Sequence, residues 1–221
     1  MVAISHTGEN TEKLRQILTE ARRCFGLHGF EHTTMNDIAA GVFMSKSSLY
    51  YYFPDKESLF KGVIKAELDE FFNQLNKKIE KLPNPEIMLK EFIHIRNEQF
   101  KDIINMNIFR IADFHIIKPH IKESFQQFRD QEFEIIRSII RKGNESGIFA
   151  CKNPTATADL FIDILQGLRM VVVRHRDFRD LSEEDYKLME AKHLLFIDLL
   201  IKALKYQSKQ SADTNKTFKS I

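Results

Sequence analysis

Tryptophan is absent from this 221-residue chain, cysteine occurs twice, and glycine and proline number only 8 and 5. Two distant thiols, Cys24 and Cys151, exclude a disulfide scaffold and a cysteine-based zinc module, and fit a reducing compartment. So few turn-forming residues exclude a β-sandwich or barrel, whose many turns require them. No run reaches the roughly 18 uncharged apolar residues of a membrane span, and the polar N-terminus lacks the apolar core of a secretory signal. A cytoplasmic protein with no membrane association is therefore expected. Charge of one sign is lacking too, since 33 Lys and Arg oppose 31 Asp and Glu, a net of +2, so any nucleic-acid surface must be local. Catalytic and metal motifs are missing: there is no His-Glu-x-x-His, no Cys-x-x-Cys and no glycine loop for phosphate. Glu183 and Glu184 read as charges at a helix start. No catalytic residue, metal or cofactor is expected, and an enzyme is the least favoured reading.

What is present is a helical pattern, with 43% hydrophobic residues and 19 phenylalanines. From Glu12 to His28, Leu14, Ile17, Leu18, Ala21, Cys24 and Phe25 recur at the period of one helix face, and Gly29 ends that helix. Thr34 and Asp37 form a capping box for a short second helix with Met35, Ile38, Ala39 and Val42 inward. Ser45 caps a third, in which Leu49 and Phe53 form an inward i, i+4 pair. Tyr50, Tyr51 and Tyr52 fan over about 200° of its surface, so at least one faces outward. Pro54 and Asp55 open a long helix from Lys56 to about Leu82, which Pro83-Asn84-Pro85 stops. Further helices are predicted up to Ile117 with a break at Pro119, then from about Ile121 to Lys142. Pro154, capped by Asn153, opens another to about Val173. Ser182 and Asp185 box the last, to about Tyr206. The polar tail, 207–221, is predicted to fray.

The fold class is thus all-α. The organisation is a three-helix domain over 9–55, a connecting helix over 56–82, and a larger helical bundle over 83–206. Two short helices joined by a tight turn and steadied by a longer one are what a helix-turn-helix requires. Ser, Lys and Tyr between Ser45 and Lys56 can reach phosphates and base edges while Leu49 and Phe53 anchor the helix beneath. Thr34 and Lys56 sit at helix starts, where free N–H groups favour an anion.

The stretch Ile17 to Phe60 resembles the DNA-binding domain of the TetR family of bacterial transcriptional regulators. The resemblance runs through Phe25, Gly29 and Phe30, the paired threonines 33 and 34, Asp37-Ile38-Ala39, and Ser45-Lys46-x-Ser-Leu-Tyr-x-Tyr-Phe followed by Lys56. It implies a sequence-specific regulator, most simply a repressor, that binds a palindromic double-stranded operator as a homodimer and is released by a small effector. By family pattern Thr34, Ser45, Lys46, Ser47, Ser48, Tyr50, Tyr51 and Lys56 face DNA, with Tyr50 and Lys56 chiefly on phosphates. One departure stands out. Where the family turn reads Ala-Gly-Val, this chain has Val42-Phe43-Met44, so either Phe43 adopts left-handed geometry, at about 1 kcal/mol, or the second helix ends differently. Residues 1–60 hold six Lys or Arg and seven Asp or Glu, a net of −1, so non-specific affinity should be modest.

In the remaining chain, apolar residues cover most of the circumference between Ile103 and Ile117, and Phe92, Phe100, Phe125, Phe128, Phe133 and Phe161 add large flat surfaces. Such an interior is either a phenylalanine-rich core or a mostly apolar pocket with a few polar groups. On the pocket reading a hydrophobic effector meets Phe92, Asn105, Phe109, Arg110, His115, Phe128 and Phe161. Gly167, and apolar residues beyond what one neighbour can cover, point to a two-fold four-helix interface of Phe161, Leu165, Gly167, Leu168, Phe196, Leu199 and Leu200, the alternative being burial of these residues within a single chain. The competing reading is a helical carrier or sensor of hydrophobic small molecules without DNA binding.

Overall fold

A computed structural model describes residues 5–105, 111–173 and 181–217, and side chains over 10–101, 122–172 and 181–205. Every regular element among them is a helix: α1 Ser5–His32, α2 Met35–Gly41, α3 Lys46–Tyr52, α4 Lys56–Ile79, α5 Pro85–Asn105, α6 Ile111–Glu145, α7 Pro154–Val173 and α8 Glu183–Thr217. None of the described helices is long and apolar enough to cross a membrane. The chain forms two compact units, residues 1–71 with 102–126, and residues 72–101 with 127–221.

In the first unit α1 packs on α2, and α2 on α3. Its core holds Ile17, Ala21, Cys24, Phe25, Ile38, Leu49, Leu59 and Phe60, all essentially without solvent contact. Phe25, Phe30 and Phe60 meet as a trio with ring centroids 5.0–5.9 Å apart. The helical path of α1 breaks at Gly29 (φ 80°, ψ 170°), a conformation glycine adopts without a Cβ clash. Carbonyls around that break accept from side chains. The buried Thr33 hydroxyl lies 2.7 Å from the Gly29 oxygen and 3.1 Å from that of Cys24, and Lys56 Nζ donates to the carbonyls of Phe30 and Glu31 at 2.8 and 3.1 Å.

In the second unit α7 packs on α8, and Leu75, Leu89, Phe92, Ile93, Ile136, Ile140, Phe161, Ile162, Leu165 and Ile197 form the core. The predicted cap Asn153 is in place, its Oδ1 accepting from the N–H of Ala156 at 3.1 Å, and Asn84, read in the sequence only as part of a stop, likewise accepts from the N–H of Glu86 at 2.8 Å. Ser182 and Asp185 exchange the two bonds of their box at 2.9 and 3.3 Å.

Among the boundaries that differ from the sequence expectation, two stand out. Pro119 does not break a helix: α6 runs through it, because a proline removes one N–H and leaves the turns on both sides their own bonds. The last helix extends to Thr217 rather than Tyr206, since polar residues without Gly or Pro can prolong a helix already nucleated.

Candidate nucleic-acid interface

The site is assembled from a capped helix that turns sharply into another. Thr34 Oγ1 accepts from the N–H of Asp37 at 3.2 Å, and the Asp37 carboxylate accepts from the Thr34 N–H at 2.9 Å. The Thr34 hydroxyl also donates to that carboxylate at 2.7 Å, and this bond, followed by the one from the Thr34 N–H, holds the Asp37 carboxyl below the usual carboxylate range. The exit of α2 passes through Phe43 at φ 54°, the one non-glycine residue with positive φ among those described. Phe43 N–H bonds to the Ala40 carbonyl at 3.1 Å and Met44 N–H to that of Ala39 at 2.9 Å, the paired pattern of a Schellman cap with phenylalanine where glycine is usual. The left-handed alternative is therefore the one adopted.

Ser45 opens α3 by accepting from the N–H of Ser48 at 3.1 Å, and its hydroxyl lies 2.9 and 2.7 Å from those of Ser47 and Ser48. Leu49 is fully buried, Phe53 is packed at the edge of the same core, and this pair fixes the opposite side of α3 outward. There Ser45, Lys46, Ser47, Ser48, Tyr50 and Tyr51 are all exposed, Tyr51 by 83%. Lys46 Nζ lies over the Tyr50 ring, 5.8 Å from its centroid, while Tyr52 turns inward. Seven of the eight expected DNA-facing residues, Thr34 among them, are thus solvent-facing around one short helix and the start of its predecessor. Lys56 is the exception in kind. Its ammonium holds two backbone carbonyls and covers the Phe30 ring at 4.6 Å, a structural task that no sequence motif announces. Thr33 was read only as part of the motif, and its buried latch on α1 is likewise a finding of the structure.

The fold of this unit is that of a helix-turn-helix, and comparison with known proteins bears on the whole chain. The description of bacterial regulatory proteins of the tetR family matches residues 17–63. A transcriptional regulator from Cytophaga hutchinsonii, known by its crystal structure, is 34% identical, with a TM-score of 0.76 over 87% of this chain and 98% of its own. The chain belongs to the TetR family. This TetR-family protein is also 24% identical to the HTH-type transcriptional regulator YfiR of Bacillus subtilis over 168 residues, 73% of this chain and 81% of that one. It is 34% identical to the HTH-type transcriptional repressor AcnR of Corynebacterium diphtheriae over 67 residues, 30% of this chain and 35% of the other. It is accordingly a DNA-binding transcriptional regulator of the helix-turn-helix type.

The residues expected to line a pocket or an interface are less evenly placed. Phe92 and Phe161 are buried, with ring centroids 6.2 Å apart, and Phe128 packs on Phe72 at 5.2 Å. The side chains of Asn105 and His115, and Phe109 and Arg110 entirely, lie outside the described residues. Of the expected interface, Phe161 and Leu165 are buried inside the single chain and so belong to its core. Phe196 is half-buried against Phe161 at 5.5 Å. Leu168 and Leu200 are also half-buried, and Gly167 and Leu199 are exposed. The open apolar surface shifts to neighbouring residues, Leu160 and Val171 on α7 and Leu188 and Leu195 on α8. The helical period explains the shift, because residues one position apart differ by about 100°.

Proposed function

We propose that this TetR-family regulator is a cytoplasmic homodimeric repressor that reads a palindromic operator with α3 and is released by a small hydrophobic effector. The observation that carries the DNA-reading part is the outward row of Ser45, Lys46, Ser47, Ser48, Tyr50 and Tyr51 above the buried Leu49. These are donors of the reach that phosphates and base edges require. Lys56 contributes charge from the start of α4 while it holds the Phe30 and Glu31 carbonyls. The relative named a repressor favours that sign of regulation. The Phe92, Phe128 and Phe161 surfaces of the second unit favour an apolar effector, with Asn105, Phe109, Arg110 and His115 as further proposed contacts.

α4 supplies Phe60 and Val63 to the core of the first unit and Phe72 and Leu75 to that of the second. A ligand that prefers one setting of this helix therefore has a covalent route to α3. A tenfold to hundredfold loss of operator affinity needs about 1.4–2.8 kcal/mol of coupling. Selection of bound fragments from random and genomic DNA with the purified protein tests the reading. A palindromic consensus supports it, and recovery of no preferred sequence sinks it in favour of the carrier alternative.

A further inference from the structure

Inside the second unit lies a polar cluster for which DNA reading has no use. Arg96 of α5 and Glu132 of α6 form a fully buried ion pair through Nε and Oε1, with Nη2 3.5 Å from Oε2. Arg169 of α7 is partly buried, with its guanidinium carbon 5.0 Å from the centroid of the Phe100 ring. Among the described residues no hydrogen bond or ion pair reaches it. Burial, and then the charge of Arg96, draw its pKa down to about 10, which leaves it cationic at neutral pH. Among the described residues the cluster therefore holds two cations and one carboxylate, an excess of one positive charge in a place where an unpaired charge is costly.

His193 of α8, fully buried, adds a second imbalance. Its Nε2 lies 3.1 Å from the Leu165 carbonyl oxygen and its Nδ1 2.9 Å from Asn97 Oδ1, so in this orientation of the Asn97 amide both ring nitrogens face acceptors. That is the bonding pattern of an imidazolium. Yet desolvation, then Arg96 and Arg169, hold the pKa down at about 4, against the weaker pull of the Leu165 carbonyl. Asn97, 6% exposed, has its Nδ2 buried and, among the described residues, without a hydrogen-bond partner.

An anion beside these groups removes all three misfits. It neutralises Arg169, accepts from Asn97 Nδ2, and favours a proton on His193, whose two N–H groups then both find acceptors. We propose that Arg169 and Asn97 form the polar end of the effector site and bind the carboxylate of an amphipathic small molecule, whose apolar body lies toward Phe100, with His193 behind Asn97 and not itself in contact with the anion. Binding draws a proton from solvent onto His193, whose charged neighbours are Arg96, Arg169 and Glu132. This rests on the reading of the second unit as an effector domain and adds the effector's charge.

The test is calorimetric titration of the full chain near pH 6.5 with phenylacetate and decanoate, and with the amides of the same acids, in buffers of differing ionisation enthalpy. Expected are at least tenfold tighter binding of the acids, uptake of up to one proton, and loss of the preference in Arg169→Met with the fold retained by circular dichroism. His193→Gln should keep the acid preference and lose the proton uptake. Equal binding of acids and amides, no binding of either acid at millimolar concentration, or unchanged affinity in Arg169→Met overturns the proposal. The comparison of acid with amide in the unaltered protein stands even if a variant fails to fold. Operator titration separates the two readings. Acid binding without a change in operator affinity keeps the anion site and rejects the effector reading, whereas release by a neutral compound when neither acid binds does the reverse.

Discussion

The N–H of Met44 reaches back 2.9 Å to the carbonyl of Ala39, across a left-handed phenylalanine that is 97% exposed. The cap closes the helix before the turn, but its left-handed position is occupied by a residue with a Cβ, at about 1 kcal/mol. Because the Phe43 ring packs on nothing in this unit, Phe43→Gly should relieve the strain without forming a cavity. The expected outcome is a gain of about 1 kcal/mol, partly offset by the greater freedom of glycine in the unfolded chain, read as a higher urea midpoint. A lower midpoint would mean that the ring stabilises the turn.

Substitutions on the two sides of α3 should separate cleanly. Lys46→Ala and Tyr51→Ala remove exposed side chains and are expected to weaken operator binding by about 1–3 kcal/mol each, with melting temperature unchanged. Leu49→Ala empties a fully buried site and should cost about 2–5 kcal/mol of stability. Fluorescence anisotropy with labelled operator, beside thermal melts, checks both. Wild-type affinity in Lys46→Ala and Tyr51→Ala would show that DNA is read elsewhere.

Lys56 should behave unlike a simple phosphate contact. Lys56→Met removes the donor to the Phe30 and Glu31 carbonyls, and the expected loss is about 1–2 kcal/mol, given that the bonds are charge-assisted but partly solvated. Non-specific DNA binding should weaken as well, with the salt slope falling by up to about one unit. A variant with weaker DNA binding and unchanged melting would assign Lys56 to phosphate alone.

The first unit was largely legible in the sequence because its signals are local. Capping boxes, the Gly29 break and the Leu49 and Phe53 spacing each involve residues within a few positions, and the structure contains all three. Lys56 on the carbonyls of Phe30 and Glu31 was illegible, since 25 or 26 residues separate the partners. The same holds for Arg96 with Glu132 and for His193 with Asn97, pairs brought together only by packing. Pro119 misled because local propensity disfavours proline in a helix interior, whereas α6 accommodates it. Phe161 and Leu165 misled because an apolar face looks the same in sequence whether a chain covers it with itself or with a copy.

Acid should destabilise the ligand-free protein through His193. Its folded pKa of about 4 lies below the ordinary 6.5, so the unfolded chain takes up the proton first. The stability this represents is complete above about pH 6.5 and is lost as pH falls towards 4. Between pH 7.5 and 4.5 the loss is about 2–3 kcal/mol, measured as the difference in urea stability between wild type and His193→Gln across that window. Parallel pH profiles would show that the ring is not held neutral.

Dimerisation should depend on the open faces of α7 and α8 rather than on the buried Phe161 and Leu165. Leu195 and Leu199 are 63% and 57% exposed, one helical turn apart, and Leu160 and Val171 lie open on α7. A Cβ at Gly167 would meet nothing within 4 Å among the described residues, where alanine would be favoured by up to about 1 kcal/mol. Leu195→Asp and Leu199→Asp should therefore yield folded monomers at micromolar concentration in sedimentation, since a charge desolvated in an apolar interface is opposed far more than one on a free surface. Gly167→Leu should weaken the dimer by overfilling the approach. Phe161→Ala serves as the contrast. Its expected cost, about 3–5 kcal/mol of stability, appears in denaturant melts of the monomeric variants too, because the ring is buried within each chain. On DNA, the dimer should protect two half-sites about 34 Å or a multiple apart on one face. The monomeric variants should protect one half-site weakly. If Leu195→Asp and Leu199→Asp remain dimeric and protect both, the interface lies on another face of the second unit.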